Sequence, residues 1–401
     1  MNKSDTKKEE FIRVGTTLYK IVNQPRLNGG YVKKRIVWNN ETLRQDYGKD
    51  YFATISKYDG FCTVPDHVDY KPVIGKFLNL YEPTDHQPQQ GDFPCIRSLV
   101  EHIFGEQYEL GLDYIQLLYL RPIQKLPILL LVSEERNTGK STFLNFLKAV
   151  FQNNVTFNTN EDFRSQFNSD WAGKLLIMVD EVLLNRREDS ERLKNLSTTL
   201  SYKVEAKGKD RDEIAFFAKF VLCFNNKHLP VIIDAGKTRY WVRKINRLQS
   251  DDTDFLRKLK AEIPAFLYHL QHRHLSTEKE SRMWFNPKLI HTEALQKIIR
   301  SNRNRLEIEM CELVLDIMAS TGIDTFSFCS NDILTLLANT YVKAEKHQVR
   351  KVLQECWKLM PASNGLTYTT YQLNYNRECR YEPIRRVGRF YTVTRQQLKT
   401  L

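Results

Sequence analysis

Residues 133–142 read SEERNTGKST, and within that run Gly139-Lys140-Ser141 is the arrangement that binds a nucleotide phosphate chain. A lysine directly after a glycine turn reaches the β/γ-phosphates, the next hydroxyl holds Mg²⁺, and loop N–H groups with the following helix N-terminus cradle the anion. Asn137, Thr138, Gly139, Lys140, Ser141 and Thr142 are therefore the expected ATP contacts, with Ser141 as a Mg²⁺ ligand. The pattern G-x-x-x-x-G-K-[ST] asks for a glycine where Glu134 stands, so Glu134 belongs to the loop but alters its geometry.

Two further motifs supply what hydrolysis needs. The run LLIMVDE ends in Asp180 and Glu181, roughly forty residues beyond the loop. In a phosphate-loop ATPase the first carboxylate orients the Mg²⁺ shell and the second polarises the attacking water. The run FVLCFNN ends in Asn225 and Asn226, amides that could reach the γ-phosphate and that water.

These side chains need a scaffold that brings them to one edge. The apolar runs ILLLV (128–132), LLIMV (175–179) and FVLCF (220–224) show no polar alternation, the signature of parallel strands covered on both faces by helices. An α/β class follows, with helix 142–150 after the loop. Upstream, residues 11–51 alternate β-branched and aromatic residues around turn signals, and 96–120 show helical spacing. The stretch PTDHQPQQGDFP (83–94) reads as a linker. Downstream, 254–274 is helical and the polar run 298–305 reads as a second linker. The last part reads as helices over 306–318, 331–338 (capped by Ser330) and 345–360, then strands over 366–373 and 387–393 joined by a basic loop, 376–386. Three helices and a two-stranded wing make a winged-helix domain. The expected organisation is an N-terminal β-rich module (1–90), a helical segment (95–125), a phosphate-loop ATPase core (126–250), a helical lid or linker (251–300) and a winged-helix DNA-binding domain (305–401).

Charge points to an anionic partner. Lys and Arg outnumber Asp and Glu by 60 to 48, and residues 341–401 hold twelve of those basic residues against four acids. Arg350 and Lys351 on the third helix, and Arg385 and Arg386 in the wing, are expected to contact DNA. The longest apolar run, 126–132, is far shorter than the ~20 residues of a membrane-spanning helix, and no apolar h-region follows the charged N-terminus, so a cytoplasmic location is expected. Seven scattered cysteines without a C-x-x-C pair argue for reduced thiols, not a disulfide or zinc framework. His269, His272 and His274 lack a neighbouring carboxylate or cysteine and are not read as a metal site. No D-x-D carboxylate pair suited to polymerising chemistry occurs in residues 1–125, so primase activity is expected in a separate protein.

Together the NTGKS loop, Asp180-Glu181 and the asparagine assigned as Asn225 resemble superfamily 3 helicases, in particular the poxvirus D5-like family of phage and mobile-element primase-helicases. The likeness covers about residues 113–248, and the winged tail also fits. It implies an AAA+-like homohexameric ring that hydrolyses ATP between subunits, with Mg²⁺ held by Ser141 and Asp180, and moves along single-stranded or forked DNA in a bacterial host cell, served by a separate primase or polymerase. It also implies a DNA-gripping hairpin before Asn225, with Lys207, Lys209 and Arg211 as candidates, and an arginine that completes a neighbour's site, assigned to Arg243 with Arg239 as the substitute. A non-translocating DNA-remodelling initiator ATPase and a DNA-binding regulator with a degenerate loop are the rival expectations.

Overall fold

The computed structural model describes residues 10–25, 30–164, 171, 173–181, 187–204, 212–225, 231, 233, 239–248, 252–338, 342, 344–374 and 380–400. The chain divides into two compact units. The first comprises Met1–Val182, Leu193–Asn225 and Arg239–Ile290; the second comprises Leu183–Arg192, Asn226–Thr238 and His291–Leu401.

The first unit opens with strands β1 (Glu10–Val14), β2 (Thr17–Pro25) and β3 (Tyr31–Val37), helix α1 (Asn40–Tyr47) and strand β4 (Ser56–Tyr58). These strands form a sheet in the order β3-β2-β1-β4 over a small core of Phe11, Leu18, Leu43 and Ile55. Short strands β5 (Gly60–Cys62), β6 (Val73–Ile74) and β7 (Phe77–Asn79) make a second sheet, and helices α2 (Pro94–Phe104) and α3 (Tyr108–Leu120) follow. The Phe104 ring lies directly over Gly111, where any Cβ would overlap it, so a glycine is what lets α2 and α3 pack this closely.

Then come β8 (Ile128–Ser133), α4 (Lys140–Phe151), β9 (Val155–Phe157), α5 (Asn160–Arg164), β10 (Leu176–Val179), α6 (Arg187–Leu196), the pair β11 (Ser201–Val204) and β12 (Asp212–Ala215), β13 (Lys219–Asn225), β14 (Tyr240–Lys244) and α7 (Phe255–His272). Strands β14-β8-β13-β10-β9, in that order, form an all-parallel sheet. Leu129, Leu130, Leu131, Ile177, Met178, Val221 and Leu222 are fully buried, as expected of strands covered on both faces. The three apolar runs of the sequence are β8, β10 and β13.

Several organisational expectations need correction. The stretch 83–94 does not separate domains: Asp85 N–H donates to Gln152 at 3.1 Å, Gln89 N–H donates to the Pro264 carbonyl at 3.1 Å, and His86 bonds the Ala149 carbonyl. Helix α7 is no lid, because Leu259, Ile263, Phe266, Leu267 and Leu270 share one core with α2, α3, α4 and the sheet.

The second unit contains α8 (Glu293–Thr321), β15 (Thr325–Phe328), α9 (Ser330–Leu337), α10 (Lys346–Lys351), β16 (Leu366–Leu373), β17 (Tyr381–Gly388), β18 (Tyr391–Thr394) and α11 (Arg395–Thr400). Helix α8 runs straight through 298–305, so that polar run is helix and not a linker. Helix α9 is capped by Cys329, one residue earlier than expected, with Asp332 reaching back to the Cys329 N–H at 2.7 Å. Helix α10 passes into a π-helical turn, Val352–Cys356. Strand β17 pairs antiparallel with β16 from Tyr381 onward, which puts Arg385 and Arg386 in a strand and not in a loop. Strand β18 pairs with β15. No helix among the described residues is long and apolar enough to cross a membrane.

Candidate functional site

Because β8, β10 and β13 run parallel, their C-terminal ends open on one edge of the sheet. The chain leaves β8 toward β9 at one side of the sheet and leaves β13 toward β14 at the other, and a crevice between neighbouring strands with diverging exits is where α/β sheets bind ligands. Register places Ser133, the last residue of β8, opposite Asn225, the last of β13.

The turn after β8 is built for close approach. Asn137 (φ 56°) and Gly139 (φ 76°) both adopt left-handed conformations, and Gly139 is the N-cap of α4. Alternation of this kind turns successive N–H groups to one side, a concavity suited to anions. Lys140 is the first residue of α4 and is only 6% exposed. Its ammonium donates to the Ser133 hydroxyl and, at 2.7 Å, to Asn225 Oδ1. Burial pulls its pKa below the usual lysine range, against the opposing pull of Cys223, Asp180 and Glu181. One residue on, Ser141 Oγ donates to Asp180 Oδ2 at 2.7 Å. Glu181 has φ 57°, a strained setting for a non-glycine residue, and its carboxylate accepts from Asn225 Nδ2 at 3.4 Å. Lys140, Ser141, Asp180, Glu181 and Asn225, chosen from three separate motifs, thus meet at one edge.

A hydroxyl and a carboxylate oxygen 2.7 Å apart are donors that suit a hard cation such as Mg²⁺. No cluster of three or more His, Cys, Asp or Glu side chains that could hold a metal occurs among the described residues.

Other residues hold the loop, and the motifs gave no sign of them. His102 on α2 donates from Nε2 to the Thr138 carbonyl at 3.0 Å, and Leu248 N–H donates to the Asn137 carbonyl at 2.9 Å. Asn160 Nδ2 donates to the Glu181 carbonyl at 3.3 Å. Ser133 reads in sequence as the first residue of the loop, but its role depends on pairing with a strand about ninety residues away. Glu134 turns its carboxylate to Lys244 on β14, at 3.1 Å.

The expectation for Arg243 is corrected. It is 6% exposed, and its guanidinium donates to the Phe104 carbonyl at 2.5 Å, Glu106 at 2.7 Å and Gln107 at 2.8 Å, all in its own unit. An arginine so held has no reach left for a neighbouring subunit. Arg239, the substitute, donates to the Lys194 carbonyl at 3.0 Å. Strands β11 and β12 form the expected antiparallel hairpin, while Lys207, Lys209 and Arg211 lie outside the described residues. Lys219, basic and close to that hairpin in sequence, is buried and donates to the Pro122 carbonyl. In the second unit Arg350, Lys351 and Arg385 are exposed, whereas Arg386 turns inward onto Asp332 at 2.7 Å and is no free phosphate contact. Alternation along β17 sends adjacent residues to opposite faces.

Comparison with known proteins supports the architecture. The fold resembles that of the NrS-1 C-terminal region. Its apo structure (residues 305–718) superposes with a TM-score of 0.57 at 16% identity, covering 96% of each chain, and two A-form apo structures of that region give 0.54 and 0.56 at 15% and 14% identity. The first of these two covers 89% of this chain and 85% of that one, the second 97% and 96%. A family model described as a family of unknown function (DUF5906) matches residues 131–243, the span from β8 to Arg243 on β14. No curated protein matches the chain.

Proposed function

We propose that this chain is an ATP-dependent DNA helicase of the superfamily 3 type, translocating on single-stranded DNA during replication of a phage or mobile element. The observation that carries the reading is the convergence of Lys140, Ser141, Asp180, Glu181 and Asn225 at one edge of a parallel sheet. A buried ammonium held by neutral oxygens gains most from an anionic partner, so phosphates are the natural ligand of Lys140. Mg²⁺, held by Ser141 and Asp180, would neutralise phosphate charge. Glu181 then accepts the proton of the attacking water, and Asn225 links that carboxylate to Lys140. Asn137, Thr138, Gly139 and Thr142 line the phosphate cradle. A homohexameric ring belongs to the same proposal, with an arginine other than Arg243 completing the neighbour's site.

ATP hydrolysis measured with and without single-stranded DNA tests this. Lys140→Ala and Glu181→Gln should each reduce turnover at least 100-fold, with Glu181→Gln still binding ATP. Wild-type turnover in both variants would refute the site. Hydrolysis without strand displacement on a forked substrate would favour a remodelling ATPase.

A further inference from the structure

We propose that the face of the β2–β3 ribbon carrying Tyr19, Tyr31, Lys33 and Arg35 is a binding platform for single-stranded nucleic acid. The inference stands apart from the Lys140 site and does not rest on the ATPase reading.

Charge is the first observation. From Phe11 to Asn40 the sequence contains six Lys/Arg and no Asp or Glu, in a chain where acids number 48 of 401. The register shows where these charges go. Tyr19, Ile21, Asn23 and Pro25 pair with Val37, Arg35, Lys33 and Tyr31, and this set shares one face; Lys20, Val22, Ile36 and Lys34 share the other. That other face covers the small core, with Lys20 lying over the Phe11 and Trp38 rings. On the first face Tyr31 is 71% and Val37 66% exposed at the β3 edge, while Tyr19 and Ile21 on β2 are half-buried.

Aromatic geometry is the second observation. Tyr19 meets Phe61 edge-to-face at 5.7 Å, and the Arg35 guanidinium lies 5.8 Å from the Phe61 ring centre. An arginine over an aromatic ring, with the exposed Lys33 and Tyr31 further along β3, offers both stacking surface and phosphate charge. The combination favours unpaired bases, whose faces are available, over duplex, whose faces are hidden. Along β3, Tyr31, Lys33, Arg35 and Val37 recur every ~6.7 Å over about 20 Å, room for roughly two or three bases. Among the described residues of these strands, the one acid on this face is Glu10, opposite Ile21 at the start of β1. Strand β3 is also the outermost of its sheet, so nothing in that sheet covers its far side.

Fluorescence anisotropy of the full chain with labelled oligo(dT), and with a duplex of equal length, tests the platform without nucleotide. Lys33→Ala with Arg35→Ala should weaken oligo(dT) binding about tenfold or more and lower the slope of log K against log salt by ~1.4, at ~0.7 per phosphate contact. Tyr31→Ala should weaken it by about 5- to 100-fold and Tyr31→Phe should restore it, as stacking requires. Both losses should persist when Lys207→Ala and Lys209→Ala are also present, and ATP turnover without DNA should not change. Unaltered oligo(dT) affinity and salt slope in the Lys33/Arg35 variant in both backgrounds would overturn the proposal. So would an equal loss of duplex binding with no effect of Tyr31→Ala, or competition by polyglutamate as strong as by unlabelled oligo(dT).

Discussion

Replacing Arg243 with alanine should unfold the first unit more readily, and the loss can be worked from its partners. The guanidinium donates to the buried Phe104 carbonyl at 2.5 Å and to Gln107 Oε1 at 2.8 Å. Hydrogen bonds involving a charged group contribute about 1.5–3 kcal/mol each; their removal leaves the Phe104 carbonyl without this donor, whereas Gln107 Oε1 still accepts from Trp241. The ion pair with Glu106 adds little, because that carboxylate is 78% exposed and solvent screens it. Its Nε–H is buried without a partner, a cost that alanine removes. The net expectation is a destabilisation of about 2–4 kcal/mol, since one strong bond is lost outright and the other acceptor keeps Trp241. Trp241 donates to the same Gln107 at 2.7 Å, so denaturant unfolding followed by tryptophan fluorescence reads the region directly. A shifted midpoint should accompany any loss of turnover, and mixing with Lys140→Ala should restore nothing. An Arg243→Ala protein with the parental midpoint, inactive alone and rescued by mixing with Lys140→Ala, would refute the structural role and return Arg243 to the subunit interface.

Two other outcomes follow from buried and surface charge. Burial lowers the pKa of Lys125 from 10.5 to about 8, so between those values the unfolded chain holds a proton that the folded chain has lost. Stability should therefore rise with pH across that window, by about 3 kcal/mol at ~1.4 kcal/mol per unit; denaturation at both ends should show this rise diminished in Lys125→Met, and an undiminished rise counts against it. In the second unit, Arg386→Ala removes a partner of Asp332, whose side chain is 1% exposed, and should cost about 1.5–3 kcal/mol in a thermal melt. Arg385→Ala, on the opposite face, should leave the melt unchanged and weaken DNA binding severalfold; the reverse ranking would show the faces misassigned.

Local order is written in the chain. A run such as ILLLV can only be a buried strand or a short core helix segment, and a following glycine, lysine and serine before TFLNFLKAV fix the strand, turn and helix order, because nearest-neighbour sterics and hydrophobicity decide each step. Asp180, Glu181 and Asn225 were legible for the same reason: each ends an apolar run, and parallel strands all end at one edge. Strands β9 and β14 were not, since three residues carry no period and YWVRK has no uniform apolar character. The fate of long charged side chains depends instead on contacts between distant segments. Arg243, Lys219 and Arg386 look in sequence like Arg350 or Arg385, yet carbonyls or carboxylates from distant segments draw the first three inward. The same holds for His102, whose partner carbonyl is 36 residues away, and for the proline-rich stretch that lies on α4 and α7. Whether a polar group faces water or the interior depends on which acceptors the fold delivers to it, and those acceptors are not its neighbours in the chain.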